Sequence, residues 1–172
     1  MFSKETYISR RARLMEKIND GIILLLGNSE ASANYNGNTY KFRQDSSFLY
    51  FFGLDEPDMA AILDVESGEQ ILFGNDVDID DIIWMGPQES VQEKAQSIGI
   101  QKSLPMAKLA GCVAKAVQQG RKVHFLPPYR YDNMIWLEEL TGIKASIVKK
   151  YASLELIKAV VDLRAVKEAC EI

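Results

Sequence analysis

Histidine is almost absent from this chain: of its 172 residues, only His124 is one. Histidine is the side chain used most often as a general base, and it is also the commonest metal ligand. His124 lies in a strand-like segment, residues 122–126, without a second His or a nearby Cys to complete a ligand set. It is therefore predicted to be a packed or surface residue of a strand, and no His-based catalytic centre is expected.

Cysteine is equally scarce, with Cys112 and Cys170 as the two examples. They lie far apart in helix-like patterns, a spacing that fits neither a disulfide framework nor a metal site, so both are predicted to be reduced thiols. Cys112 falls in a small apolar run, residues 110–117, without a nearby base. Packing is favoured there over nucleophilic chemistry.

The chain also lacks a long apolar run, a concentrated basic patch and a glycine-rich phosphate loop. No apolar stretch reaches the length that crosses a bilayer, and charged residues begin at Lys4, where a signal peptide needs apolar ones. A cytoplasmic protein without membrane contact is predicted. The 20 basic residues are spread along the chain against 24 acidic ones, which predicts no nucleic-acid partner. Neither G-x-G-x-x-G nor a Walker A pattern occurs, so nothing supports nucleotide binding.

Periodicity divides the first half of the chain into helix and strand patterns. Its length and 47% hydrophobic content suit one domain with a single sizeable core. Apolar residues at helical spacing predict a helix over residues 3–20, and continuous apolar runs predict interior strands over residues 22–26 and 48–53. Two further β-like runs, 59–65 and 69–73, flank a tight turn and predict an antiparallel hairpin.

The second half alternates helix and strand. Helices are predicted over residues 90–97, 105–119 and 132–140, with strands over 122–126 and 145–148. Residues 153–159 and 161–172 have helical patterns, and the chain stops without a capping residue, so it is expected to continue in a longer protein. This alternation predicts an α/β fold with a mixed central sheet flanked by helices.

Four aspartates, Asp76, Asp78, Asp80 and Asp81, form the densest acidic group. They lack the central Gly and closing Glu of a calcium loop, so a solvated acidic loop is favoured. If the sheet resembles that of ribonuclease H, these carboxylates are the alternative candidates for two-metal chemistry.

The most informative segment is residues 42–58, FRQDSSFLYFFGLDEPD. Arg43 offers five donors in a planar fork that can tie carbonyls or carboxylates together. Asp45 can fold its own backbone into a turn, and Gly53 is expected to release the chain from the sheet. Pro57 fixes a turn. These residues are expected to organise the entry and exit of a strand.

The same segment resembles the signature Arg-Gln-x-Ser-x-Phe-x-Tyr-x-x-Gly-x-x-Glu-Pro of the N-terminal domains of aminopeptidase P and its prolidase and creatinase relatives. Residues 83–87, IWMGP, resemble a short tryptophan segment of those domains, and residues 163–172, LRAVKEACEI, resemble the helix that opens their catalytic domain. The resemblance implies the creatinase/aminopeptidase P N-terminal fold with a ribonuclease H-like motif. It divides the chain into a domain, 1–159, and a linker helix, 160–172.

By this resemblance, the complete enzyme removes an N-terminal residue that precedes proline. Its pita-bread catalytic domain holds two divalent ions, usually manganese, through two Asp, two Glu and one His, and all of these lie beyond Ile172. The resemblance therefore implies no catalytic residue, metal ligand or cofactor in this chain, which is predicted to be inactive alone. Its implied partners are its own catalytic domain, a second subunit of a homo-oligomer and, in the complete enzyme, a proline-containing peptide.

Three residues are candidates for shaping access to the active site or an interface between subunits: Trp84, Arg43 and Tyr50. An indole on a loop bounded by Gly and Pro can supply rigid apolar contact to a peptide, although Trp84 could equally cover the edge of the core. Two alternative functions stay open. One is a stand-alone peptide- or protein-binding module of the same fold, and the other is prolidase or creatinase specificity.

Overall fold

The computed structural model describes residues 2–35, 37–77 and 88–172. Within them the helices are α1 (Lys4–Glu16), α2 (Ser46–Phe52), α3 (Val91–Ser97), α4 (Leu109–Gln118), α5 (Tyr131–Thr141) and α6 (Leu154–Ala165). The strands are β1 (Ile22–Leu26), β2 (Ser32–Tyr35), β3 (Asn38–Thr39), β4 (Ala60–Asp64), β5 (Gln70–Gly74), β6 (Lys102–Pro105) and β7 (Val123–His124). Short 3-10 turns cover Met106–Lys108, Val148–Tyr151 and Ala169–Glu171.

The central sheet is mixed, as predicted. Its five strands lie in the order β6-β5-β4-β1-β7. The pairs β1 with β4 and β4 with β5 are antiparallel, whereas β1 with β7 and β5 with β6 are parallel. The hairpin of β4 and β5 and the interior position of β1 are therefore confirmed. A separate two-stranded sheet joins β2 to β3.

Helices cover both faces of this sheet. Side chains alternate across a strand, so Ile23 and Leu25 of β1 enter one core while Ile22 and Leu24 enter the other. Helices α1, α2, α3 and α6 pack over the first face, and α4 and α5 over the second. The predicted arrangement of a sheet between helical layers is correct. Within the described ranges, no helix has the length and apolar character that would carry it across a bilayer.

The strand predicted over residues 48–53 is wrong, because the structure has helix α2 there. Asp45 caps the helix: its Oδ1 accepts hydrogen bonds from the backbone N–H groups of Ser47 and Phe48, both at 2.9 Å. Gly53 ends it in the left-handed conformation, with φ of 69°. The buried side chains of Phe48, Phe51 and Phe52 follow helical spacing, so they form one apolar face of the helix that packs into the core.

Two predictions near the C-terminus are also wrong. Residues 145–148 form turns instead of a strand, since the N–H groups of Ile147 and Val148 both bond locally to the carbonyl of Lys144. The helix predicted over 161–172 ends with α6, because Val166 is extended and a separate turn follows. Helix α6 itself crosses the predicted domain boundary at 159/160, which stays a prediction.

Candidate functional site: the end of strand β1 and the α1–α2 junction

Gln44 links three backbone segments beside the carboxyl end of β1. Its side-chain oxygen accepts hydrogen bonds from the N–H groups of Asn28 (2.8 Å) and Asp45 (2.9 Å). Its amide nitrogen donates to the carbonyls of Leu54 (3.2 Å) and Glu56 (2.7 Å). The side chain is 3% exposed, so all four hydrogen bonds stand in place of bonds to water. Gln44 therefore holds the start and the end of the α2 segment against β1.

The backbone approaches Gln44 closely at Gly27. A Cβ at Gly27 would lie 2.8 Å from the carbonyl oxygen of Met59 and 3.0 Å from the side-chain oxygen of Gln44. The N–H of Gly27 also donates to that Met59 carbonyl at 2.8 Å. The side chain of Asn28 continues the network, donating to the Arg43 carbonyl (2.9 Å) and to the hydroxyl of Tyr129 (3.1 Å). The chain that follows the carboxyl end of β1 is therefore held by amide and hydroxyl groups.

Arg43 does not tie this segment together with its side chain. Its carbonyl accepts from Asn28, while the side chain is exposed and makes no hydrogen bond or ion pair with the described residues. The anchoring role considered for Arg43 belongs to its neighbour Gln44. The signature contains Gln44, but an amide in a polar loop gave no sign that it would be buried.

Tyr50 lies at the junction of α1, α2 and α6. Its hydroxyl donates to the carbonyl of Leu163 at 3.2 Å, and its ring centroid is 3.9 Å from the Arg10 guanidinium carbon. Arg10 also donates to the Tyr50 carbonyl at 3.0 Å and is 1% exposed. Arg164 lies over the same ring at 5.7 Å. Tyr50 thus joins the signature segment to α6.

Arg11 is a second buried arginine of α1, and sequence reasoning also missed it. It donates to the carbonyls of Phe51 (2.9 Å) and Ile98 (2.6 Å), at the carboxyl ends of α2 and α3. Its Nε donates to the side chain of Gln70 at 2.7 Å. Burial lowers the pKa of Arg11 to about 10, which leaves it charged at neutral pH. A cation suits these positions because helix C-termini carry partial negative charge. Two arginines next to an apolar helical face were the available signal.

The third candidate, Trp84, lies outside the described residues, as do Asp78, Asp80 and Asp81. Asp76 is the described member of the acidic group. Its Oδ1 accepts a hydrogen bond from the N–H of Val91 at 2.7 Å, at the start of α3. This is the position at which a carboxylate stabilises a helix N-terminus.

His124 and the two cysteines occupy packed or surface positions. Both ring nitrogens of the buried His124 have partners, Ser153 Oγ at 2.7 Å and the Asp20 carbonyl at 2.9 Å. Cys112 packs against the core, as predicted, and Cys170 is exposed. No three His, Cys, Asp or Glu side chains gather into a metal-ligand set within the described part of the chain. The described residues therefore form no ligand set for a dimanganese centre, and the contacts observed at the candidate site are packing and hydrogen bonds.

Arg121 and Asp64 form a bidentate pair at the other end of the sheet. Arg121 donates through Nη1 and Nη2 to the two oxygens of Asp64, both at 2.8 Å. The hydrogen bonds from Arg121 lower the pKa of Asp64 to about 2. Arg121 also pairs with Glu66. The lowered pKa of Asp64 thus comes from a structural ion pair. This pair links the β4–β5 hairpin to the residues that precede β7.

Comparison with known proteins agrees with this architecture. Intermediate cleaving peptidase 55, mitochondrial, of Arabidopsis thaliana is 25% identical over 98% of this chain and 35% of its own length. Xaa-Pro aminopeptidase 3 of Rattus norvegicus is 26% identical over 99% of this chain and 37% of its own. The chain thus spans about a third of the length of these curated relatives.

Solved structures give the same fold. Aminopeptidase PepP of Pseudomonas aeruginosa superposes with a TM-score of 0.70 at 22% identity, over 88% of this chain and 35% of that one. Aminopeptidase P of Escherichia coli, in its low-pH form, gives 0.63 at 19% identity, over 94% and 33%. The protein-family model described as "Aminopeptidase P, N-terminal domain" matches residues 7–126. That match covers most of the chain, which therefore belongs to the aminopeptidase P N-terminal domain family.

Proposed function

We propose that this chain is the non-catalytic N-terminal domain of an Xaa-Pro aminopeptidase, and that the dimanganese catalytic domain lies outside these 172 residues. The observation that carries the proposal is the family match over residues 7–126, in a chain that spans about a third of relatives named as peptidases. The single histidine of the chain, His124, is packed in the fold, with both ring nitrogens engaged by Ser153 and the Asp20 carbonyl. Aminopeptidase activity is thus assigned to the longer protein.

The domain's own role in this proposal is to support and restrict the catalytic domain. Gln44 holds the signature segment against the end of β1, and Tyr50 joins that segment to α6, the helix that precedes the expected catalytic domain. The exposed Arg43 side chain and Trp84, which lies outside the described residues, are proposed to contact a neighbouring subunit or the substrate entrance. Contact with a second subunit would make the enzyme a homo-oligomer. A cytoplasmic location stays a prediction that cell fractionation can test.

The test is cleavage of a peptide that has proline in its second position, with manganese present. The 172-residue chain is compared with the protein extended through the downstream reading frame. A matched peptide with alanine in the second position is the control for specificity. The proposal expects cleavage only by the extended protein, only of the proline peptide, and loss of cleavage on chelation of the metal. Cleavage by the short chain would overturn it, and an inactive extended protein would instead favour the binding-module alternative.

A further inference from the structure

Helix α1 and the residues just after it carry polar and basic side chains that meet acidic side chains of the C-terminal segment in reverse order. Asn19 donates through its side chain to Glu155 at 2.8 Å, and Lys17 lies 3.9 Å from Asp162. Next, Arg13 pairs with Glu168. Finally, Arg10 donates through Nε to Glu168 at 2.8 Å and lies 3.4 Å from Glu171. Contacts that descend from 19 to 10 on one side and ascend from 155 to 171 on the other define an antiparallel ladder.

Glu168 is the best-placed member of this ladder. Its carboxylate is held between Arg10 and Arg13, and its side chain is 20% exposed. Contacts with Tyr50 fix the orientation of Arg10, because the guanidinium stacks on the Tyr50 ring and donates a hydrogen bond to the Tyr50 carbonyl. A buried guanidinium that lacks a carboxylate partner raises the free energy of the folded state. The pairing with Arg10 therefore stabilises Glu168 in its observed position. The outer pair of Lys17 and Asp162 is more exposed, and such pairs contribute little.

Helix α6 stops at Ala165, before the chain reaches Glu168. Val166 adopts an extended conformation, with φ of −107° and ψ of 121°, which turns the chain out of the helix. Glu168 and Glu171 then form a reciprocal cap: the N–H of Glu168 donates to the Glu171 side chain and the N–H of Glu171 to the Glu168 carbonyl, both at 2.9 Å. A new helical turn, Ala169–Glu171, starts there.

We propose that Glu168 is an ionic latch. Its contacts with Arg10 and Arg13 hold the acidic C-terminal segment antiparallel to α1 and order residues 166–172. The latch fixes the direction in which the chain leaves the domain. That this direction positions a catalytic domain rests on the proposed function. The ordering itself is a property of the chain, and its test involves no enzymatic activity.

The test is hydrogen exchange of residues 166–172, followed by mass spectrometry in the 172-residue protein. Glu168→Gln keeps the shape and removes the charge. Exchange in this segment is expected to become about tenfold faster, at the lower end of what charge-assisted hydrogen bonds contribute. Glu16→Gln is the matched control, because Glu16 is an exposed carboxylate on α1 itself for which the described residues provide no ion pair. It is expected to leave the exchange unchanged.

Two further readouts separate a latch from a general loss of stability. A peptide containing β1 should exchange at the same rate in Glu168→Gln and in the parent, because the latch is local. Arg13→Gln should accelerate exchange of residues 166–172 on its own, and it should add little once Glu168→Gln is present. The proposal is overturned if Glu168→Gln behaves like Glu16→Gln, if β1 accelerates equally, or if the effects of Arg13→Gln and Glu168→Gln are independent.

Discussion

Replacing Gln44 by methionine tests whether one side chain holds the signature segment against β1. Methionine has a similar volume and can fill the space, so the change isolates the hydrogen bonds. Four backbone groups lose their partner: the N–H groups of Asn28 and Asp45 and the carbonyls of Leu54 and Glu56. The bonds to Asn28 and Leu54 are fully buried, and the other two are partly buried.

A buried group left without its hydrogen bond costs about 1–3 kcal/mol, so Gln44→Met should lower the free energy of unfolding by about 3–5 kcal/mol. For a domain of this size, such a loss lowers Tm by about 10 °C. Urea and thermal unfolding followed by circular dichroism measure both quantities. Gln118→Met, at an exposed position of α4, is the matched control and should change the free energy by no more than about 0.5 kcal/mol. A loss below about 1 kcal/mol for Gln44→Met would refute the role assigned to Gln44.

Two other substitutions test the packing at Gly53 and the ion pair of Asp64. Gly53 and Gly120 both have left-handed backbones, with φ of 69° and 68°, but a Cβ at Gly53 would lie 2.2 Å from the Tyr7 ring whereas Gly120 faces open space. Gly53→Ala should therefore lower the free energy of unfolding, measured with urea, by about 1–3 kcal/mol more than Gly120→Ala does. Equal losses for the two variants would contradict the close packing of Gly53 on Tyr7. Because Arg121 lowers the Asp64 pKa to about 2, the stability from this ionised pair is present above the usual pKa near 4 and is lost as pH falls through 2. Asp64→Asn should accordingly lower the free energy of unfolding at pH 6. The difference in this free energy between the variant and the parent should shrink between about pH 4 and 2, and a difference that stays constant with pH would argue against the ion pair.

The sequence predicted the layers of the fold better than the identity of each element. The β4–β5 hairpin and the apolar strand β1 follow from local patterns, so they were found. Helix α2 was missed because its run of aromatic residues favours a strand. The helical signals were also present: Asp45 as a cap, Gly53 as a stop, and apolar residues at 48, 51 and 52. In this segment, capping and packing outweighed intrinsic preference.

The site depended on contacts that no local pattern encodes. The hydroxyl of Tyr50 meets the carbonyl of Leu163 across 113 positions of sequence, and Arg10 meets Glu168 across 158. Arg43 was the expected anchor because its guanidinium offers five donors in a planar fork, and Gln44 was not considered. A glutamine can donate and accept at once, however, and the junction needs both. Burial of that amide depends on the approach of Gly27, which is a tertiary feature.

We propose that this chain supports an aminopeptidase without supplying its metal centre. The most direct test is the manganese content of the purified 172-residue chain and of the extended protein, measured by native mass spectrometry after removal of free metal. The short chain is expected to retain no manganese, and the extended protein is expected to retain two ions per chain. Retention of manganese by the short chain, or an extended protein that binds none, would contradict it.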